Sequence, residues 1–219
     1  MIQLADRDTW ICRVCSGKKV LHLGCVDAPL LEEKARTGRL LHDKLLKVAS
    51  RVVGVDLDAT GIAELERLYP GQKFVVANAE SFATKVKADE YDIILAADII
   101  EHVSNPGLLL DSAASLMCPR SRLVITTPSA FSAKKFFCAF LTGYEHNHPE
   151  HTFFYSPMTL SRLATLHGLE IEQMHSFQWR HPTWKNYFIN LIAQPIVRFS
   201  QNLTADEIAV VLSRKPSSP

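Results

Sequence analysis

Apolar residues along the chain fall into short unbroken runs, and between the runs they recur every third or fourth position. The runs are KVLHLG (19–24), RVVGV (51–55), FVVA (74–77), YDIILA (91–96) and RLVIT (122–126). Unbroken rather than alternating apolar character is what strands buried on both faces show, the pattern of a parallel sheet. Leu169 to Phe177 and Glu207 to Leu212 read as two further strands. In the gaps, Leu40, Leu41, Leu45, Val48 and Ala49 make one helical face. Thr60 to Tyr69 predicts a helix capped at Asp58 or Thr60 and ended by Pro70-Gly71. Pro106 to Met117 predicts another, with Asn105 as N-cap and Pro106 in the first turn. Ser156-Pro157 opens a fourth, and Gly168 closes it. Strands alternating with helices predict a doubly wound α/β sheet with helices on both faces. The whole of 1–214 reads as one domain, with an acceptor-site insertion at 130–156, an apolar helical segment at 183–200 and a frayed tail at 215–219.

Composition narrows the function. With 219 residues and 47% hydrophobic positions the chain can bury a core without staples. A net charge of +1 leaves no electrostatic footprint for nucleic acid. Five Cys without a regular framework suit a reducing compartment, and a charged N-terminus without an apolar centre suits the cytoplasm. No apolar run approaches the ~20 residues of a membrane span. The 9 Gly are roughly 4% of the chain, against about 7% in an average protein. Neither G-x-G-x-x-G nor G-x-x-x-x-G-K-[ST] occurs, which excludes a P-loop and disfavours an NAD site.

Ligands of such sheets sit at the carboxyl ends of the strands. After the first strand stands Gly24-Cys25-Val26-Asp27-Ala28-Pro29, where one glycine lets the backbone turn tightly beside a ligand. After the second stands Asp56-Leu57-Asp58. An acid there accepts both hydroxyls of a ribose, although it can also cap the next helix. After the third, Asn78-Ala79 offers an amide and a backbone N–H to an adenine edge. After the fourth, Ala97 is small enough for close approach, and Glu101 and His102 follow as general-base candidates.

Taken in order, these pieces resemble the class I S-adenosylmethionine-dependent methyltransferases, in particular the small-molecule group that includes the ubiquinone-biosynthesis O-methyltransferases. The similarity runs from about Lys19 to Gln173 and is most specific over residues 91–129, YDIILAADIIEHVSNPGLLLDSAASLMCPRSRLVITTPS. VVGVDLD (52–58) is similar to the family's ribose segment and FVVANAE (74–80) to its adenine segment. The resemblance implies a mostly parallel, seven-stranded Rossmann-like sheet and S-adenosylmethionine as cofactor. It also implies methyl transfer to a small-molecule or glycan acceptor, at a hydroxyl oxygen. It places the methionine part on Gly24 and Cys25, the ribose on Asp56 beside Leu57, the adenine on Asn78 and Ala79, and the methionine end near Ala97. Glu101 and His102 face the acceptor, with His151 as a second base or a substrate contact. The family's acid-x-Gly-x-Gly-x-Gly is represented here by His22, Gly24, Val26 and Ala28. Asp27 stands in for the lost acid, or His22 bonds the cofactor carboxylate. Residues 29–40 read as an inserted loop. The alternative implied by this altered loop is a methyltransferase-like binding or regulatory module without turnover.

Three constellations remain. His146, His148 and His151 have a spacing compatible with Zn²⁺ or Fe²⁺, but no Asp or Cys ligand lies nearby, and the segment is read as an acceptor loop with no metal assigned. His148 to Pro157 resembles a substrate-loop pattern of relatives that act on sugars or glycans. Cys12-x-x-Cys15 lacks the second pair a structural zinc site needs and reads as two cysteines on a helix. Trp179 to Phe199 is aromatic at helical spacing, which suits core or a homodimer face through 183–200, with a lipid-facing or acceptor-binding surface as the alternative.

Overall fold

The computed structural model describes residues 6–86, 91–145, 147–178, 195–200 and 202–215. The strands are β1 (Lys19–Leu23), β2 (Arg51–Asp56), β3 (Lys73–Val76), β4 (Ile93–Ala97), β5 (Arg122–Pro128), β6 (Leu169–Phe177) and β7 (Glu207–Arg214). They form one sheet in the order β3-β2-β1-β4-β5-β7-β6. The pairings from β3 through β5 are parallel, and β7 runs antiparallel to both β5 and β6. The chain winds outward from β1 in one direction and from β4 in the other, so a crevice opens above the carboxyl ends of these two strands.

The period-two geometry of the strands sends alternate residues to opposite faces. Leu21, Leu23, Val53, Val55, Ile94 and Ala96 pack on one face with Leu109 and Leu110 of α5 (Pro106–Leu116) and Leu160 of α7 (Pro157–Leu166). Val20, Val52, Ile93 and Leu95 pack on the other with Trp10 and Ile11 of α1 (Arg7–Cys15) and Leu45 of α3 (Leu41–Val48). Both faces are therefore dry, which is why these strands read as unbroken apolar runs. The caps lie where their chemistry requires. Asp58 accepts from Thr60 N at 2.9 Å at the start of α4 (Ala59–Leu68). Asn105 accepts from Leu108 N at 3.3 Å, and Ser156 closes a reciprocal capping box with Thr159.

Two helices were not anticipated by periodicity. Within 29–40 lies α2 (Leu31–Arg36), only six residues long, which sets Leu31 against Leu40, Ile62 and Leu65. Within 130–156 lies α6 (Ala133–Thr142), whose Phe136, Phe140 and Leu141 point outward into solvent. Cys12 and Cys15 lie on α1, and burial pushes the Cys15 thiol up to about 12. Most of 183–200 lies outside the described residues; of its end, Phe199 is 93% exposed. Among the described residues no helix is long and apolar enough to cross a membrane.

Candidate active site

The crevice holds two adjoining cavities, of about 250 and 710 Å³, that share Gly24, Asp56, Leu57, Ile99 and His102 in their walls. The smaller one lies over the ends of β1, β2 and β3 and reaches Asn78 and Ala79. The larger runs past Ala97 to Glu101, His148 and His151. One cleft thus joins the residues read as cofactor contacts to those read as the acceptor side.

Its turns are made by local chemistry. Gly24 has φ +71°, and a Cβ there would stand 2.0 Å from Ile99 Cδ1. Asp56 closes the corner opposite: Oδ2 accepts from Val26 N at 2.9 Å and Oδ1 from Asp58 N at 3.0 Å. Burial raises its carboxyl, against the pull of those backbone donors. The Asn78 side-chain oxygen accepts from Glu80 N at 2.8 Å and fixes the third turn. Leu57 is exposed at the rim. Cys25 is buried, and burial raises its thiol as well. Asp27 pairs with Lys34 of α2, which engages the side chain read as replacing the family's acid.

His22 lines the larger cavity and is buried. Its Nδ1 lies 3.1 Å from Nδ1 of His42 on α3, and the rings stack at 5.4 Å. Burial, followed by His42 and Arg7, holds His22 well below 6.5; burial holds His42 at about 4. Both are neutral imidazoles at neutral pH, sharing one N–H.

Sequence reading missed two charged members. Asp98 follows β4 in the left-handed region at φ 54°, which a short acid tolerates better than most residues. Its carboxylate accepts from Thr126 Oγ1 at 2.9 Å and pairs with Arg7, which α1 carries across the cleft. Arg7 also lies 3.5 Å from Glu207. These partners are distant in sequence, so no local spacing announces them.

Glu101 is buried. Thr127 Oγ1 donates to its Oε2 at 3.0 Å, and its Oε1 has no hydrogen-bond partner. Burial, then the charge of Asp98, raises its carboxyl to about 8, so the acid is largely protonated at neutral pH. His102 is half-buried, and burial and His148 lower its imidazole. The loop ahead of α7 is tied down across this turn: Thr152 N donates to Glu101 O at 2.8 Å, and Thr152 Oγ1 lies 3.0 Å from both Glu101 O and Val103 O. That tether brings His151 to 4.6 Å and His148 to 5.5 Å from His102, ring centre to ring centre. The histidines expected to cluster within one loop are thus joined by His102 from another, while His146 lies outside the described residues.

An open, mostly parallel α/β sheet with an acid at the end of β2, and a carboxyl and imidazoles across the same crevice, has the architecture of the class I methyltransferases. The family profile described as a methyltransferase domain matches residues 15–174, and the chain belongs to that S-adenosylmethionine-dependent family. It is 27% identical over 170 residues to a ubiquinone biosynthesis O-methyltransferase of Aeromonas salmonicida, covering 72% of this chain and 65% of the relative. It is 31% identical over 116 residues to the enzyme of that name from Aromatoleum aromaticum, covering 51% and 44%. The chain thus spans less than two thirds of the length of either relative. Among solved structures, an S-adenosylmethionine-dependent methyltransferase from Archaeoglobus fulgidus superposes with TM-score 0.57 at 18% identity, covering 94% of this chain and 90% of that one. The N-methyltransferase NodS of Bradyrhizobium japonicum, in complex with S-adenosyl-L-homocysteine, superposes with TM-score 0.56 at 14% identity, covering 96% and 86%. At these identities the structures share the fold.

The cleft's donor set fits S-adenosylmethionine. The cofactor carries a ribose diol, an adenine edge and a zwitterionic tail, and no phosphate. The cleft presents a carboxylate, an amide and an opposed Arg–Asp pair, and its glycine-poor first loop is not required to cradle a phosphate.

Proposed function

We propose that the chain transfers the methyl group of S-adenosylmethionine to a hydroxyl oxygen of a small-molecule or glycan acceptor. The observation that carries this reading is the continuity of the cleft, in which Gly24, Asp56 and His102 line shared walls. When bound, the cofactor supplies an electrophilic methyl group on a sulfonium. Asp56 holds the ribose hydroxyls, and Leu57, Asn78 and Ala79 hold the adenine. Backbone at Gly24 and Cys25 lies along the methionine part, with Ala97 small enough to admit it. Arg7 and Asp98 offer opposite charges to the carboxylate and ammonium of the tail. His22, bound to His42, and Asp27, bound to Lys34, shape the floor and rim.

On the acceptor side His102 is the first candidate to take the hydroxyl proton, and His151 the second. Protonated Glu101 donates or accepts one hydrogen bond at its unpartnered oxygen. The remaining work is alignment of acceptor oxygen and methyl carbon, the effect expected to dominate in a displacement of this kind. The insertion at 130–156 forms the acceptor wall. The O-methyltransferase names of the relatives support oxygen as the atom modified. The reading also places the protein in the cytoplasm and pairs two copies through 183–200, where exposed Phe199 supports a contact face.

Two measurements test it. Calorimetry with S-adenosylhomocysteine should show one site; absence of binding at millimolar ligand overturns the reading. Turnover, followed as homocysteine-nucleoside release over phenol and sugar acceptors, should fall about 10²–10⁴-fold in His102→Ala with ligand affinity unchanged. Equal turnover removes His102 from the role.

A further inference from the structure

We propose that His102, His148 and His151 form a site for one divalent transition-metal ion on the acceptor side of the cleft. The three side chains come from two segments, the turn after β4 and the loop ahead of α7, and meet only in the folded chain. One ligand atom from each lies within 4.8 Å of the others. Nitrogens bound to a common Zn²⁺ at 2.0–2.1 Å stand about 3.4 Å apart, so each ring needs to move inward by less than about 1 Å. The segment that carries two of them is already anchored through Thr152 to Glu101 and Val103, and side-chain rotation covers such a distance.

Two further observations point to a cation. His151 Nδ1 is buried and has no hydrogen-bond partner. A polar nitrogen sealed from water and protein donors is costly, and coordination satisfies it. Glu150 Oε2 stands 4.0 Å from His102 Nδ1, a carboxylate placed behind or beside a ligand imidazole. At that distance it makes no hydrogen bond to the ring, and its charge offsets part of the ion's. His102 packs edge to face against both His148 and His151. An all-imidazole set selects zinc, cobalt, nickel, copper or ferrous iron over magnesium and calcium, which prefer oxygen.

Three protein ligands leave at least one coordination position open, the arrangement of catalytic rather than structural metal sites. The open position faces the cavity that holds Glu101, so an acceptor oxygen is its natural occupant. This role rests on the methyl-transfer reading, and His102 then acts on the acceptor's proton through the ion rather than by taking it directly. Binding of the ion itself does not depend on that reading.

The test uses the full chain, stripped with a chelator, without cofactor or acceptor. Co²⁺ is titrated by visible absorption and Zn²⁺ by calorimetry. One equivalent should bind, with Co²⁺ giving the d–d bands of a nitrogen-rich site of low coordination number. His148→Ala, an exposed loop change, should weaken binding by at least about tenfold with an unchanged circular dichroism spectrum. His102→Ala should do the same, whereas His167→Ala, whose ring pairs with Asp111 elsewhere, should bind as the parent does. No stoichiometric uptake, or uptake unaltered in His148→Ala, overturns the proposal. S-adenosylhomocysteine is titrated separately into the metal-free chain. Its binding without cation uptake overturns the metal site alone; cation uptake without it supports the site and overturns the methyl-transfer reading.

Discussion

Gly24 concentrates the residue-scale argument. Its positive φ and its closeness to Ile99 leave no room for a side chain. Gly24→Ala should cost about 1–2 kcal/mol in backbone strain and displace Ile99 into the shared wall of the two cavities. S-adenosylhomocysteine affinity, measured by calorimetry, should fall by at least about tenfold; wild-type affinity would show that this corner does not shape the site. That Gly24 and Asp56 line the cleft was legible because each stands at the end of a strand of the sheet. Arg7 and Asp98 were not, because their pairing spans 91 positions and neither stands in a motif. His42 was hidden for another reason. Charge and polarity suggest an exposed position on an amphipathic helix, yet it is fully buried because a second imidazole, His22, meets it.

At the scale of elements, capping chemistry proved the most readable signal. Asn105 caps α5 with its side chain, and its own N–H donates to Glu80 Oε1 at 2.8 Å. Asn105→Ala should destabilise the fold by about 1 kcal/mol, lowering the thermal midpoint by about 2–4 °C for a chain of this size; scanning calorimetry measures it. The strands were legible because two-sided burial writes itself as an apolar run. α2 was not, since six residues complete fewer than two turns and show no period. α6 was not because its largest apolar residues face solvent, which inverts the stripe by which a core helix is recognised.

For the whole molecule, the His22–His42 pair couples stability to pH. The folded pKa of His42, about 4, lies below the 6.5 of the unfolded chain, and His22 is lowered in the same direction. As pH falls below about 6.5 the unfolded chain takes up protons first, so stability present at neutral pH is lost between roughly 6.5 and 4. Arg7 adds to the effect on His22, and Asp43 opposes it at His42. The loss from His42 should approach, at most, about 3 kcal/mol. Urea unfolding at pH 7.5 and 4.5 should show a smaller difference in His42→Leu than in the parent; equal differences would remove the pair as the cause. The doubly wound sheet and its crevice were legible from unbroken apolar runs alternating with helical patterns, and its seven mostly parallel strands from the resemblance. The docking of the loop ahead of α7 onto the turn after β4 was not, because spacing does not encode the hydrogen bonds of Thr152 to Glu101 and Val103.

Thr126 and Thr127 are neighbours on β5, and their hydroxyls hold Asp98 and Glu101 respectively. Both acids line the larger cavity, and on the methyl-transfer reading proposed above the first stands at the donor end and the second at the acceptor end. The spacing of the two acids is therefore set by a single residue step of one strand of the sheet, not by the loops above it. The loops around the cleft can change without altering that spacing, because the sheet and not the loops holds the two carboxyl groups.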